Sequence, residues 1–207
     1  MLALALLLAG PLTLEVPIYL GAELHEETLM NALRETARIF EPGDIQLRFD
    51  VSPDPSTTRP LVTVIVQPRP ARFKVHGCSR DRHDHRLGHT QLRSRRITLW
   101  SEQVARAVDG NWDRKELPKV DHRVYARALG RVLAHELGHL LLRLNGHRDR
   151  GLMRSAFSHR SLTARGRRAF RFAEEDLQAI RETLLQAVAK NKSASFRPSD
   201  EREAPKR

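Results

Sequence analysis

The chain reads as an α+β protein: a mixed, twisted sheet with helices packed on it, followed by a small, mostly helical C-terminal lobe. Three observations predict this. Apolar residues alternate with period two in some segments and recur at helical spacing in others, in the order β-α-β-β-β-β-α-α. One long helix in the second half, ending near Gly146, divides the two parts. Apolar residues make up 40% of the 207, enough for a real core.

The elements follow in order. Residues 1–12 open with the apolar run Leu2–Ala9 and then Gly10-Pro11. This resembles the apolar stretch of a short export signal, although no basic residues precede it, and it is too short to cross a bilayer. The expected compartment is periplasmic or extracellular, with a cytoplasmic location as the alternative, and no stable membrane insertion is expected. Thr13–Leu20 then reads as a strand. Leu24–Phe40 places Leu29, Leu33, Thr36, Ala37 and Phe40 on one helical face. Glu41–Asp44 is a turn and Ile45–Val51 an alternating strand. A proline-rich loop leads to the apolar strand Leu61–Gln67, which "PRP" stops.

Residues 71–95 are polar, basic and rich in histidine; within them Arg86–Leu92 reads either as a short edge strand or as plain loop. Arg96–Trp100 is a clearer strand, and Ser101 is the expected N-cap of the short helix after it. The strongest helix starts near Asp121 and stops at Asn145-Gly146, where Gly146 is expected to adopt the positive φ that ends it. A basic loop follows, then a last helix from about Ala173 to Lys190, and a polar tail, residues 191–207, expected to be disordered. The organisation is thus a single domain over 13–190, its upper lobe 13–146 and its lower lobe 147–190.

Composition excludes some classes. Cys78 is the only cysteine, so neither an internal disulfide nor a cysteine zinc ribbon is possible. The net charge of +11 comes mostly from scattered arginines. No aromatic-interleaved basic motif accompanies them, so nucleic acid is not the expected partner. The basic run Ser158–Phe172 reads as a solvated loop, with a cleft wall favouring acidic substrates as the second reading.

The chemistry concentrates in "AHELGHLLLRLNGHRDRGLM", Ala134–Met153. His135 and His139 lie one turn apart on one helical face, the spacing that lets two imidazoles reach one metal ion. Glu136 sits beside them, able to take a proton from a metal-bound water without binding the metal itself. With 10 histidines in the chain, composition alone would give about 0.03 such pentads. A catalytic zinc site needs a third protein ligand. His147, just past the helix end, is the candidate, with Asp149, Glu174 and Glu175 as competitors.

This run resembles the metzincin zinc peptidases, whose motif H-E-x-x-H-x-x-G-x-x-H precedes a methionine turn beneath the metal; the look is that of the matrixin and archaemetzincin branch. The resemblance implies a zincin fold with a backing helix and an active-site helix, a Zn2+ cofactor held by His135, His139 and His147, Glu136 as general base, and Met153 as the turn methionine. The implied activity is zinc-dependent endopeptidase action on peptide or protein substrates, by a monomer as the default. Two departures matter. Leu142 stands where the family has glycine, and Asn145 where it has the third histidine, so His147 comes two residues late. Arg154 or His159 would be the oxyanion partner. The alternatives are a non-catalytic binding protein of zincin fold and a DNA-associated protease similar to the SprT-like group. The cluster His76, Cys78, Asp81, His83, Asp84, His85 and His89 reads as solvated loop rather than a second metal site.

Overall fold

In the computed structural model, residues 10–51, 62–68, 86–112 and 118–195 are described. Five strands, β1 (Leu12–Leu20), β2 (Ile45–Val51), β3 (Thr63–Gln67), β4 (Gly88–Gln91) and β5 (Arg96–Trp100), form one sheet in the order β2-β1-β3-β5-β4. All neighbours run parallel except β4, which lies antiparallel to β5 at the edge. Period-two burial shows why these segments are strands. Leu14, Val16 and Ile18 of β1, Val64 and Val66 of β3, and Ile97 and Leu99 of β5 all turn into the core.

Two helices cover that apolar surface. Helix α1 (Glu26–Phe40) is the crossover between the parallel strands β1 and β2, and α3 (His122–Leu142) packs along α1 and against β4 and β5. They approach closely at Gly130, where any side chain would collide with the Ala32 carbonyl of α1. Asp121 caps α3, its carboxylate accepting from the N–H groups of Arg123 and Val124 at 2.9 and 3.0 Å. Helix α2 (Ser101–Asp109), the one-turn helix α4 (His159–Thr163) and α5 (Glu174–Ser195) complete the molecule. One hydrophobic cluster runs from the sheet through α1 and α3 to Leu152, Met153, Phe170 and Phe172 and on to Leu177, Ile180 and Leu184 of α5. The part after α3 is thus built onto the same core. Among the described residues no helix is long and apolar enough to cross a membrane.

Leu12 pairs with Ile45 at the start of β1. Three expectations are corrected. Ser101 is not a cap: it is the first helical residue, and its hydroxyl donates to the Gln67 carbonyl at 3.1 Å, tying α2 to the end of β3. Helix α3 stops at Leu142, and Arg143 (φ 53°) supplies the left-handed residue in place of Gly146. The last helix continues to Ser195, so 191–195 are not tail. The edge-strand reading of Arg86–Leu92 holds for its middle four residues. The histidine-rich cluster at 76–85, Cys78 and residues 1–9 lie outside the described residues, whereas His89 is in β4.

Candidate active site

Helix α3 runs directly beneath β4, and the cleft between them opens around the second half of the helix. The cleft measures about 820 Å³; its lining includes His89 and Thr90 of β4, His135, Glu136 and His139 of α3, His147, and Ser155–Phe157 from the lower lobe. His135 and His139 are buried on this helix.

Each of these imidazoles is oriented by a main-chain carbonyl. His135 Nδ1 lies 2.8 Å from Leu152 O, and His139 Nδ1 lies 2.9 Å from Leu144 O. A carbonyl oxygen can only accept, so Nδ1 carries the proton and donates in both cases, leaving Nε2 as a bare lone pair. Burial presses the same way: it pushes the His135 pKa down to about 4 and lowers that of His139, so both rings are neutral near pH 7.

The three Nε2 atoms converge. His139 Nε2 is 3.0 Å from His135 Nε2 and 3.2 Å from His147 Nε2, and the ligand atoms of all three lie within 4.8 Å of one another. Between His135 and His139 no proton is available to make this contact a hydrogen bond, so two lone pairs face each other. That arrangement is repulsive unless a cation stands between them. Zinc–nitrogen bonds of about 2.05 Å at tetrahedral angles put ligand nitrogens roughly 3.3 Å apart, close to the separations found here. The triad therefore fits a metal ion. Asp149, Glu174 and Glu175 are exposed and belong to no comparable cluster among the described residues.

The return of the chain to His147 does not use Gly146, around which there is open space. With Arg143 left-handed, its N–H reaches back to the carbonyls of His139 and Leu140, and the Leu144 N–H donates to His139 O at 3.0 Å. This ending places the Leu144 carbonyl where His139 needs it. The segment then folds under the helix: Arg148 N–H donates to Met153 O at 2.7 Å, and Leu152 N–H to Arg171 O at 2.9 Å. Met153 is fully buried below the histidines, and a side chain at Gly138 would collide with its sulfur. Phe157 sets its ring edge-on to His135, centroids 5.1 Å apart.

Glu136 points up toward β4. The Thr90 hydroxyl lies 2.6 Å from its Oε2 and 2.9 Å from its main-chain carbonyl. Burial raises the Glu136 pKa to about 7, with the Thr90 hydrogen bond opposing. A carboxyl so placed exchanges a proton readily near neutrality.

Sequence reasoning missed several members of this site. Thr90 lies in the stretch that the sequence leaves between edge strand and loop, and its period-two position is the available signal. The Leu144 and Leu152 carbonyls carry no side-chain signal at all. Gly138 stood inside the pentad unexplained. Arg154 and His159 are not among the cleft-lining residues. Arg154 lies over the rings of Phe157 and Phe170, and His159 Nδ1 is 3.3 Å from Ala107 O.

A parallel sheet with an antiparallel edge strand, a backing helix, an active-site helix under that edge and a turn carrying a buried methionine make this a zincin-type fold. Two solved structures share it at a TM-score of 0.53 and 12% identity. The archaemetzincin of Methanopyrus kandleri matches over 86% of this chain and 99% of its own. A zinc-dependent peptidase from Methanocorpusculum labreanum matches over 80% and 99%. At that identity the likeness is one of fold. No protein-family model and no curated protein matches the sequence.

Proposed function

We propose that the protein is a zinc-dependent endopeptidase with His135, His139 and His147 as the metal ligands and Glu136 as the general base. The observation that carries this reading is the set of convergent Nε2 atoms with a buried carboxyl beside them, open to a cleft under an edge strand. The zinc dependence of the two structural neighbours supports the choice of metal.

When bound, zinc supplies Lewis acidity, making a water more acidic and a peptide carbonyl more electrophilic. The protein's own residues do the rest. The Leu144 and Leu152 carbonyls keep two imidazoles in the tautomer whose Nε2 can coordinate. Glu136 accepts a proton from the attacking water and passes it to the leaving amine, while Thr90 fixes the carboxyl's direction. Strand β4, at the sheet edge and lining the cleft, is suited to hold an extended peptide by strand addition. Met153, packed against Gly138, supports the floor of the site. A non-catalytic binding protein would have no use for a buried, proton-ready carboxyl at this position.

Elemental analysis of the purified wild type beside His147→Ala tests the ligand set. About one zinc per chain in the wild type and clear loss in the variant is the expected result. Zinc retained by the variant would move the third ligand elsewhere, and no zinc in either after reconstitution would reject the reading. Glu136→Gln should keep the metal while losing peptide hydrolysis by roughly 10²–10⁴-fold.

A further inference from the structure

The positive charge of this protein is not spread evenly. Residues 143–171 contain nine arginines and a single acidic residue, Asp149, a net of +8 in 29 residues, while the whole chain nets +11. The helices outside this segment carry mixed charge: α1 has Glu26, Glu27 and Glu35 against Arg34 and Arg38.

Part of the segment is also the lower wall of the cleft, with its arginines outside the lining itself. Leu144, Asn145, His147, Ser155, Ala156 and Phe157 all line it. Three of the nine arginines are engaged within the fold: Arg148 pairs with Asp176 at 3.0 Å, Arg167 pairs with Glu35 at 2.9 Å, and Arg154 lies over Phe157 and Phe170. The other six, Arg143, Arg150, Arg160, Arg165, Arg168 and Arg171, are exposed and meet no carboxylate among the described residues. Arg150 is three residues from His147, so the chain holds the two backbones within about 11 Å. A cleft bordered by one sign of charge focuses its field and raises the local concentration of the opposite charge. Among the described residues that line the cleft, Glu136 is the only carboxylate, and it is buried.

We infer that this wall selects polypeptides carrying acidic side chains near the bond to be cut, so that the substrates are acidic protein segments. The inference rests on the peptidase reading for the word substrate, but not for the binding. Acidic peptide is favoured over nucleic acid because the segment offers no exposed phenylalanine, tyrosine or tryptophan ring on which bases could stack: Phe170 is buried, and Phe157 is held against His135.

The test uses full-length, zinc-loaded protein and two labelled peptides of one sequence, differing only in four glutamates against four glutamines. Binding is read by fluorescence anisotropy on Glu136→Gln, which does not turn over, and cleavage on the wild type. We expect the glutamate peptide to bind at least ~10-fold tighter at low salt, with the advantage shrinking as salt rises. Arg150→Gln combined with Arg171→Gln should reduce the preference to less than ~3-fold, and the matching pair of lysine substitutions should largely restore it. Equal binding of the two peptides would overturn the inference. So would a single-stranded oligonucleotide that binds tighter than the glutamate peptide, which would reassign the surface to nucleic acid. Acid-selective binding with no cleavage of either peptide would keep the surface and reject the peptidase reading instead.

Discussion

Helix α3 carries two buried polar clusters one turn apart, and they are built on opposite principles. Around Arg131, everything is satisfied. The residue is 0% exposed, yet Nε donates to Glu35 Oε1 at 3.2 Å, Nη1 to the carbonyls of Ser161 and Leu162, and Nη2 to that of Gly166, each at 2.9 Å. Its guanidinium also lies 4.4 Å from the centre of the Phe170 ring, and Arg167 holds the second oxygen of Glu35. Burial lowers the Arg131 pKa, with Glu35 opposing. Around His135 the outer nitrogens are satisfied and the inner ones face each other bare. A buried polar cluster that closes on itself holds a fold together; one whose acceptors converge on a common point suits a cation.

The largest effect that separates the two clusters is on stability. Arg131→Ala removes one of the two partners of a buried carboxylate and orphans three carbonyls, so about 3–5 kcal/mol should be lost in urea unfolding of metal-free protein. His139→Ala, by contrast, deletes a repulsive lone pair and frees only the Leu144 carbonyl. Its metal-free stability should stay within about 1 kcal/mol of wild type, while the stabilisation gained on adding zinc disappears. Equal losses in the two variants would make the histidine cluster as structural as the arginine one.

Next in size is a pH effect inside the histidine cluster. The folded pKa of Glu136 is raised to about 7, so its neutral form favours the fold at low pH, and that stability is lost as pH rises from the unfolded value of 4.5 through 7. His135 has its pKa lowered from 6.5 to about 4, so its contribution is present above 6.5 and lost as pH falls toward 4. Between these limits the slopes oppose, and metal-free wild type should show nearly flat stability. Glu136→Gln removes one slope. Its melting temperature should climb across that window and exceed the wild type's at pH 7, by a free energy on the order of 3 kcal/mol. A variant that tracks the wild type at every pH would show that Glu136 is solvated.

The same contrast governs what could be read from sequence. The sheet strands were legible because period-two alternation depends on residue type alone, and Ile45–Val51 and Arg96–Trp100 were placed to the residue. The pentad was legible because coordination needs named side chains at fixed helical spacing. The end of α3 was not: glycine is the usual left-handed residue, yet Arg143 takes that conformation here, held by main-chain bonds to His139 and Leu140 that no residue type announces. The Arg131 cluster escaped for a related reason. Its acceptors are mostly carbonyls of residues 161–166, brought to the helix only by tertiary folding. Thr90 and Glu136, 46 residues apart, meet only once β4 is laid over α3.

That last contact gives the smallest and sharpest comparison, because Thr90 is joined to the reactive cluster while contributing little to the fold. Thr90→Val keeps the shape of the side chain and its place in the strand but deletes the hydroxyl 2.6 Å from Glu136 Oε2. A hydrogen bond to a charged group contributes about 1.5–3 kcal/mol. Part of that is recovered if water replaces the hydroxyl, so kcat should fall roughly 10-fold with KM and zinc content unchanged. Thr90→Ser restores the hydroxyl and should restore most of kcat, although it gives up the β-branched fit to the strand. If the valine variant instead loses stability and raises KM while the serine variant rescues neither, Thr90 serves the sheet edge and the substrate's seat. The direction of the Glu136 carboxyl would then have to come from the packing of α3 alone.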